Sequence, residues 1–316
     1  MSPRHRRLLP WLALFVIYVV WGSTYLAIRI AVREVPSMAA ACLRFFASGV
    51  AMAVLAAMVD RKHGWPRWRQ IADYSLVGVL LLSIGNALVM WAEKTIPSGI
   101  AALIVGSTPL WLTLLDGLRP GGQPWTTRVW AGTLVGLAGV ALVARPQGGA
   151  AGHWGAIIAL QVATIAWTVG SLYAQSVPAR LPVFTAAAIE MLAGSAALLF
   201  QSVVLFRDDW SAFRTAGPDT WLSLSYLAVF GSLVGFTAFA YALNELPATT
   251  VGTYAYVNPV VAVILGRVFL KEPLTPGLLA GGVLILIAVL ITTRARRSRP
   301  QPVRADPSPV SLAENA

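Results

Sequence analysis

Apolar runs long enough to cross a bilayer follow one another along almost the whole chain, and no other feature limits its fold so tightly. A helix spanning the hydrocarbon needs about 20 mainly apolar residues. About ten such segments can be marked, at 11–31, 37–59, 72–92, 97–116, 128–144, 154–174, 182–206, 219–242, 247–270 and 275–293. Most are apolar on all sides, as suits helices surrounded by lipid and by one another. A lipid-exposed sheet edge could not satisfy its backbone groups, which argues against strands. The expected fold class is an all-α polytopic membrane protein. The N-terminal RHRRLLPWLALFVIYVVWGS has the layout of a secretory signal, but its apolar stretch runs on through Ile30 and many similar runs follow. It reads as a retained first membrane helix. Residues 1–10 are then a cytoplasmic N-terminus, and residues 294–316, rich in Arg, Pro, Ser and Ala, a disordered cytoplasmic tail.

Charge narrows the function. Only 12% of residues are charged, against about 25% in soluble domains. The net charge of +11 raises the question of nucleic acid, but no basic amphipathic face or zinc motif accompanies it. Lys and Arg gather instead in alternate loops. With the N-terminus inside, Arg4, Arg61, Arg67, Arg119, Arg128, Arg180 and the tail arginines are cytoplasmic, and Arg29, Lys94, Arg145, Arg207 and Lys271 are outside. The bias of roughly two to one places both termini in the cytoplasm. Trp65 and Trp68 in the first cytoplasmic loop suit interface anchors. Cys42 is the only cysteine, and His5, His63 and His153 stand apart from it and from one another, so neither a disulfide nor a metal site is expected.

The chain is also written twice. EKTIPSGIAALIVGSTPL, from Glu93 to Leu110, matches LNELPATTVGTYAYVNPV, from Leu243 to Val260. Pro97 and Pro109 align with Pro247 and Pro259 at one offset of 150 residues, which also aligns Trp91 with Tyr241. Trp21 aligns with Trp167, and Pro36 with Pro182, at an offset of 146. Each half holds about five helices, and an odd number makes the second half enter the membrane from the opposite side. The expected domains are residues 11–145 and 153–293, related as an inverted repeat with a site near the midplane between them.

The segments WGSTYLAIRIAVREVP, LRFFASG, IPSGIAALIVGSTPLW, AIEMLAG and TYAYVNPVVAVILG, in this order and spacing, resemble the EamA-type drug/metabolite transporters, particularly their YedA-like inner-membrane branch. The resemblance covers nearly all of residues 11–293. It implies ten helices in two EamA repeats, a central cavity, and export of small metabolites or drugs across the inner membrane. Members often carry a Glu near the ends of the fourth and ninth helices. Here the second copy has Lys271-Glu272-Pro273, whereas the first has Asp116-Gly117 and no matching Glu.

Candidate site residues fall into three sets. Pro109 and Pro259 lie inside their segments, where each frees a carbonyl four residues back, Val105 and Ala255. Each stands 12 residues into its segment, or about 18 Å, slightly past the middle of a core about 30 Å thick. The kink either opens a cavity and allows bending or serves packing alone. Pro97 and Pro247 suit first-turn positions. Arg44 and Glu190, the second set, align across the repeat inside apolar helices. Their depths differ by about 6 Å, so they are expected to pair or to share a water-filled cavity with substrate. The opposing reading has Arg44 snorkelling outward and Glu190 bonded to a neighbouring helix. Glu190 is the candidate for proton coupling.

The third set is aromatic and polar. Trp21, Ser23, Thr24 and Tyr25 lie in the first segment, Asn86 and Trp91 in the third, and Trp167, Ser171 and Tyr173 in the sixth. Tyr256 and Asn258 flank Pro259, where the first copy has Gly106 and Thr108. Aromatic rings with a few polar groups suit a pocket for amphipathic molecules or organic cations. Trp91, Tyr173 and Tyr241 equally suit an interfacial belt. Gly132, Gly136 and Gly139 form a small-residue stripe, for packing within the chain or for a dimer face.

No phosphate-cradling loop, dinucleotide fingerprint, HExxH or nucleophile elbow is present. The expectation is a secondary transporter, not an enzyme, that needs no cofactor, works by alternating access, and exists as a monomer or a homodimer. A passive channel and a membrane-embedded enzyme are the alternatives.

Overall fold

The computed structural model describes residues 3–60, 64–119, 125–143, 154–177, 181–246 and 248–297. Expectations for Pro247, His63, His153 and the tail beyond Arg297 fall outside these residues. In the first half the helices are α1 (Pro3–Ala31), α2 (Ser37–Val59), α3 (Trp68–Ala92), α4 (Ser98–Asp116) and α5 (Thr127–Val143). In the second they are α6 (Trp154–Ser176), α7 (Val183–Leu205), α8 (three joined stretches from Pro218 to Glu245), α9 (Ala248–Val251, then Tyr254–Leu270) and α10 (Pro276–Arg297). A single helical turn, Ala212–Thr215, precedes α8. Among the described residues there are no strands, seven helices are long and apolar enough to span a bilayer, and three shorter apolar ones complete the set.

The two halves interlace. α2 packs along α7, and α5 along α10, so these helices lie against their own counterparts in the repeat. α1 packs on α8 and α9, and α6 on α3 and α4. The glycine stripe of α5 serves this packing: a Cβ at Gly139 would come within 2.8 Å of the Gly281 main-chain oxygen in α10. The apolar interior is divided. One cluster joins the end of α1 to α2, α3 and α7, around Phe45, Met38 and Met191. A second joins α4, α5, α6 and α10 around Ile104 and Leu160. A small third one holds the start of α1 against α8 and α9.

Four acids at helix ends bind the opposite half. Asp60, after α2, accepts from the Thr185 amide at 3.0 Å and its hydroxyl at 2.8 Å, at the start of α7. Asp208, after α7, accepts from the Ala39 amide at 3.0 Å, at the start of α2. Glu34, after α1, accepts from the Gly217 amide and the Thr220 hydroxyl at the start of α8. These bonds hold its carboxyl below the usual range. Glu272, after α9, accepts from Ser98 and Gly99 at the start of α4. The first amides of a helix lack partners within it, and a carboxylate supplies the acceptor and the charge that they favour.

Candidate substrate site

α7 ends in a π-helical turn, Gln201–Leu205, and two other helices lose regular α geometry within their spans, at places that nearly correspond in the repeat. Val79–Asn86 in α3 and Leu227–Val234 in α8 are π-helical, wound with bonds five residues apart. Each carries a serine and a glycine in an otherwise apolar run, VLLLSIGN and LAVFGSLV. Such turns are rare and often mark functional sites.

Arg44 of α2 reaches both. Its Nε donates to Ser232 Oγ in α8 at 3.2 Å, and one terminal nitrogen donates to Asn86 Oδ1 in α3 at 3.2 Å. The guanidinium lies over the Phe45 ring, 4.7 Å from its centre. Gly231 leaves room for it, since a Cβ there would stand 3.1 Å from the remaining nitrogen. The residue is only 4% exposed, so it does not snorkel into lipid. Among the described residues no carboxylate pairs with it; the ion pair found, Arg119 with Asp116, lies elsewhere. A guanidinium has five N–H donors, and burying a charge without a counter-charge costs several kcal/mol. The arrangement therefore has spare capacity for an anion.

The expected pairing of Arg44 with Glu190 does not form. The main chain of Glu190 lies against Gly78 of α3, where a Cβ would come within 2.1 Å of the Glu190 carbonyl oxygen. Arg44 meets α3 at Asn86, eight residues or roughly 12 Å further along.

Trp21, Ser23 and Thr24 converge on the same stretch of α8. Trp21 Nε1 donates to the Gly231 carbonyl at 3.1 Å, Ser23 Oγ lies 2.6 Å from Tyr226 Oη, and the Thr24 methyl abuts Gly231. Trp21 also packs with Phe236, Phe239 and Tyr254, ring centres 5.2–5.8 Å apart. Trp167 takes the equivalent place on α3, against Gly85. Trp21, Ser23, Thr24, Asn86 and Trp167 therefore gather on the two π segments, with Arg44 between them, whereas Glu190, Thr108, Tyr256 and Asn258 lie elsewhere.

The ninth and fourth helices differ from expectation. α4 is broken at Gly106 and Ser107, and Pro109 falls in the first turn of the following stretch, Thr108–Asp116. There its missing donor costs nothing, and the interruption of α4 lies in the turn just before it. Thr108 Oγ1 donates to the Val105 carbonyl at 2.5 Å, satisfying the group that proline leaves free. α9 breaks a turn earlier in register, at Gly252 and Thr253, and keeps Pro259 inside Tyr254–Leu270. The two meet, since a Cβ at Gly106 would stand 2.9 Å from the Pro259 ring. Asn258 is buried with its Oδ1 unpartnered among the described residues. Tyr256 turns to α10, its hydroxyl 3.4 Å from the Val289 carbonyl.

Sequence reasoning passes over Ser232, a small hydroxyl in an apolar run, and over the π turns, which have no sequence signature.

The profile of the EamA-like transporter family matches residues 9–145 and again 153–294. The chain is 38% identical to the uncharacterized inner membrane transporter YedA of Escherichia coli K12, over 92% of each. It is 27% identical to a probable terminal-alkyne amino-acid exporter of Streptantibioticus cattleyicolor, over 91% of this chain and 94% of that one. A solved crystal structure at 22% identity superposes with a TM-score of 0.62, covering 92% of this chain and 98% of the other, and shares the fold.

Proposed function

The chain belongs to the EamA-like transporter family, and on that premise we propose that it is a secondary transporter that exports a small carboxylate-bearing molecule. The observation that carries this reading is Arg44, buried, bridging the π segments of both halves, and without a counter-charge. A carboxylate takes the parallel donors of a guanidinium well. Organic cations, which the aromatic residues alone would admit, would be repelled there. Trp21, Trp167, Thr24 and Asn86 line the two flanks of the same stretch, and Asn258 offers an unpaired acceptor nearer α9. The exporter among the relatives supports the direction.

Alternating access suits the divided interior. Because the halves interlace, the moving bodies are not the two repeats. They are the α2–α7 group and the α4–α5–α6–α10 group, which the π turns of α3 and α8 let shift against each other. Glu190, on α7 in the first of these groups, is the candidate for coupling within the spans. Both termini face the cytoplasm.

The test is counterflow in liposomes carrying the full chain, with a panel of labelled small carboxylates and their amides. Saturable uptake of a carboxylate, competed by unlabelled compound and lost with the amide or in Arg44→Gln, supports the reading. Flux that neither saturates nor competes would point to a channel, and a converted product to an enzyme.

A further inference from the structure

Glu93 follows the last residue of α3 and stands at the edge of an apolar run, where a carboxylate ordinarily meets water. Here it is 0% exposed, and neither carboxyl oxygen has a hydrogen-bond partner among the described residues. The surroundings are not short of polar groups. Arg29 of α1 lies beside it but donates to the main-chain carbonyl of Glu93. Glu272, after α9, also faces it, and its own oxygens are engaged by Ser98 and Gly99. Tyr25 of α1 is the third titratable neighbour, and Lys94, next in the chain, is exposed. Two carboxyls thus share one corner in opposite circumstances, one fully bonded and one bare.

A bare, buried carboxylate is among the costliest groups a fold can hold, and the usual resolution is to bind a proton. We propose that Glu93 is a proton-binding site of this protein, distinct from Glu190, and that Arg29 takes up its charge when the proton leaves. On loss of the proton the carboxyl becomes a carboxylate, and Arg29 turns from the main-chain carbonyl to the side chain beside it. That exchange acts where α1, α3, α4 and the end of α9 meet. Burial is the main force raising the carboxyl well above its usual range, and Glu272 adds to it while Arg29 opposes. The inference deepens the transport reading by naming a coupling ion and where it binds.

The test uses the full chain in detergent, with protons alone as the probe. Infrared difference spectra between neutral and alkaline solution should show the carbonyl stretch of a neutral carboxyl being lost. Glu93→Gln should remove that band, Glu190→Gln should keep it, and Arg29→Gln should move its loss to higher pH. A spectrum unchanged by Glu93→Gln overturns the site, and one unchanged by Arg29→Gln overturns the partner. Stability gives a second readout. A raised carboxyl binds more protons folded than unfolded, so its contribution is complete below the ordinary value of 4.5 and is lost as pH rises toward the folded one. Glu93→Gln, an isostere of the neutral acid, should therefore melt above the wild type in alkaline solution and converge with it in acid. A variant melting well below the wild type in alkaline solution overturns the proposal. Titration at Glu93 without transport would remove the transporter reading and leave the site standing. Gradient-driven transport with no Glu93 band would do the reverse.

Discussion

Arg44 and Glu190 occupy equivalent places in two copies of one helix, yet they are used differently. At Arg44 the side chain does the work, joining α3 to α8 through two hydrogen bonds. At Glu190 the main chain does it, pressed against Gly78. The position equivalent to Gly78, at the offset of 150 that aligns Trp91 with Tyr241, is Ala228, whose carbonyl accepts from the Ser48 hydroxyl of α2 at 3.1 Å. The repeat thus repeats backbone paths, while side-chain size at the crossings decides how close the helices come and how much room is left for a ligand.

The sharpest way to break this comparison is at the crossings themselves. Gly78→Val drives a Cβ into main-chain atoms that no rotamer change can relieve, beyond the usual 1–3 kcal/mol or so of overpacking. Size-exclusion profiles in detergent should show most of the folded protein lost. Ser48→Ala, at the matching crossing, should cost only a hydrogen bond to the Ala228 carbonyl, about 1 kcal/mol. Equal effects would refute the asymmetry.

Next in size is Arg44→Met. On the proposed reading, removing the charge that would hold the anion loses roughly 2–5 kcal/mol of its binding, so counterflow should fall by about a hundredfold or more. Thermal melting should hold or rise, because replacing buried ionic groups with apolar ones of similar volume is often neutral or stabilising. A variant that transports normally, or that unfolds, would place Arg44 among purely structural residues.

The prolines sharpen the comparison further. Pro259 lies inside its helix and Pro109 in a first turn. Pro259→Ala should stabilise the protein by up to about 3 kcal/mol and alter transport rate, whereas Pro109→Ala should change melting little. The smallest effect belongs to the reciprocal caps. Asp60→Asn and Asp208→Asn should each cost about 1 kcal/mol or less, with similar shifts in melting temperature, since one geometry is used twice.

The helices were legible in the sequence because length and apolarity alone decide whether a segment can span a bilayer. The inverted repeat was legible because five is odd. Arg44 stood out as a charge in an apolar run, and its burial between the halves agrees with the reason for choosing it. Its partners did not stand out, because depth along a helix predicts level but not direction, and Gly78 sets the levels of α3 and α7 by a contact that sequence spacing does not contain. The two prolines are used differently: α4 is interrupted at Gly106-Ser107, just before Pro109, whereas the helical stretch of α9 runs through Pro259. Glu93 was hidden by its place at the end of a run, where a charge is ordinarily unremarkable.

The interlacing of the halves has a consequence for how the molecule is made. The inner faces of α2 and α5 are completed by α7 and α10, which emerge from the ribosome only after the first five helices have entered the membrane. The early half must wait there with its contact surfaces facing lipid. Assembly is therefore a late event, governed by the last helices, and a chain truncated after α5 should insert and then be cleared by proteolysis. Supplying the second half as a separate chain should rescue it. The same geometry fits an ancestor of half the length that reached its folded form by meeting a second copy inserted upside down.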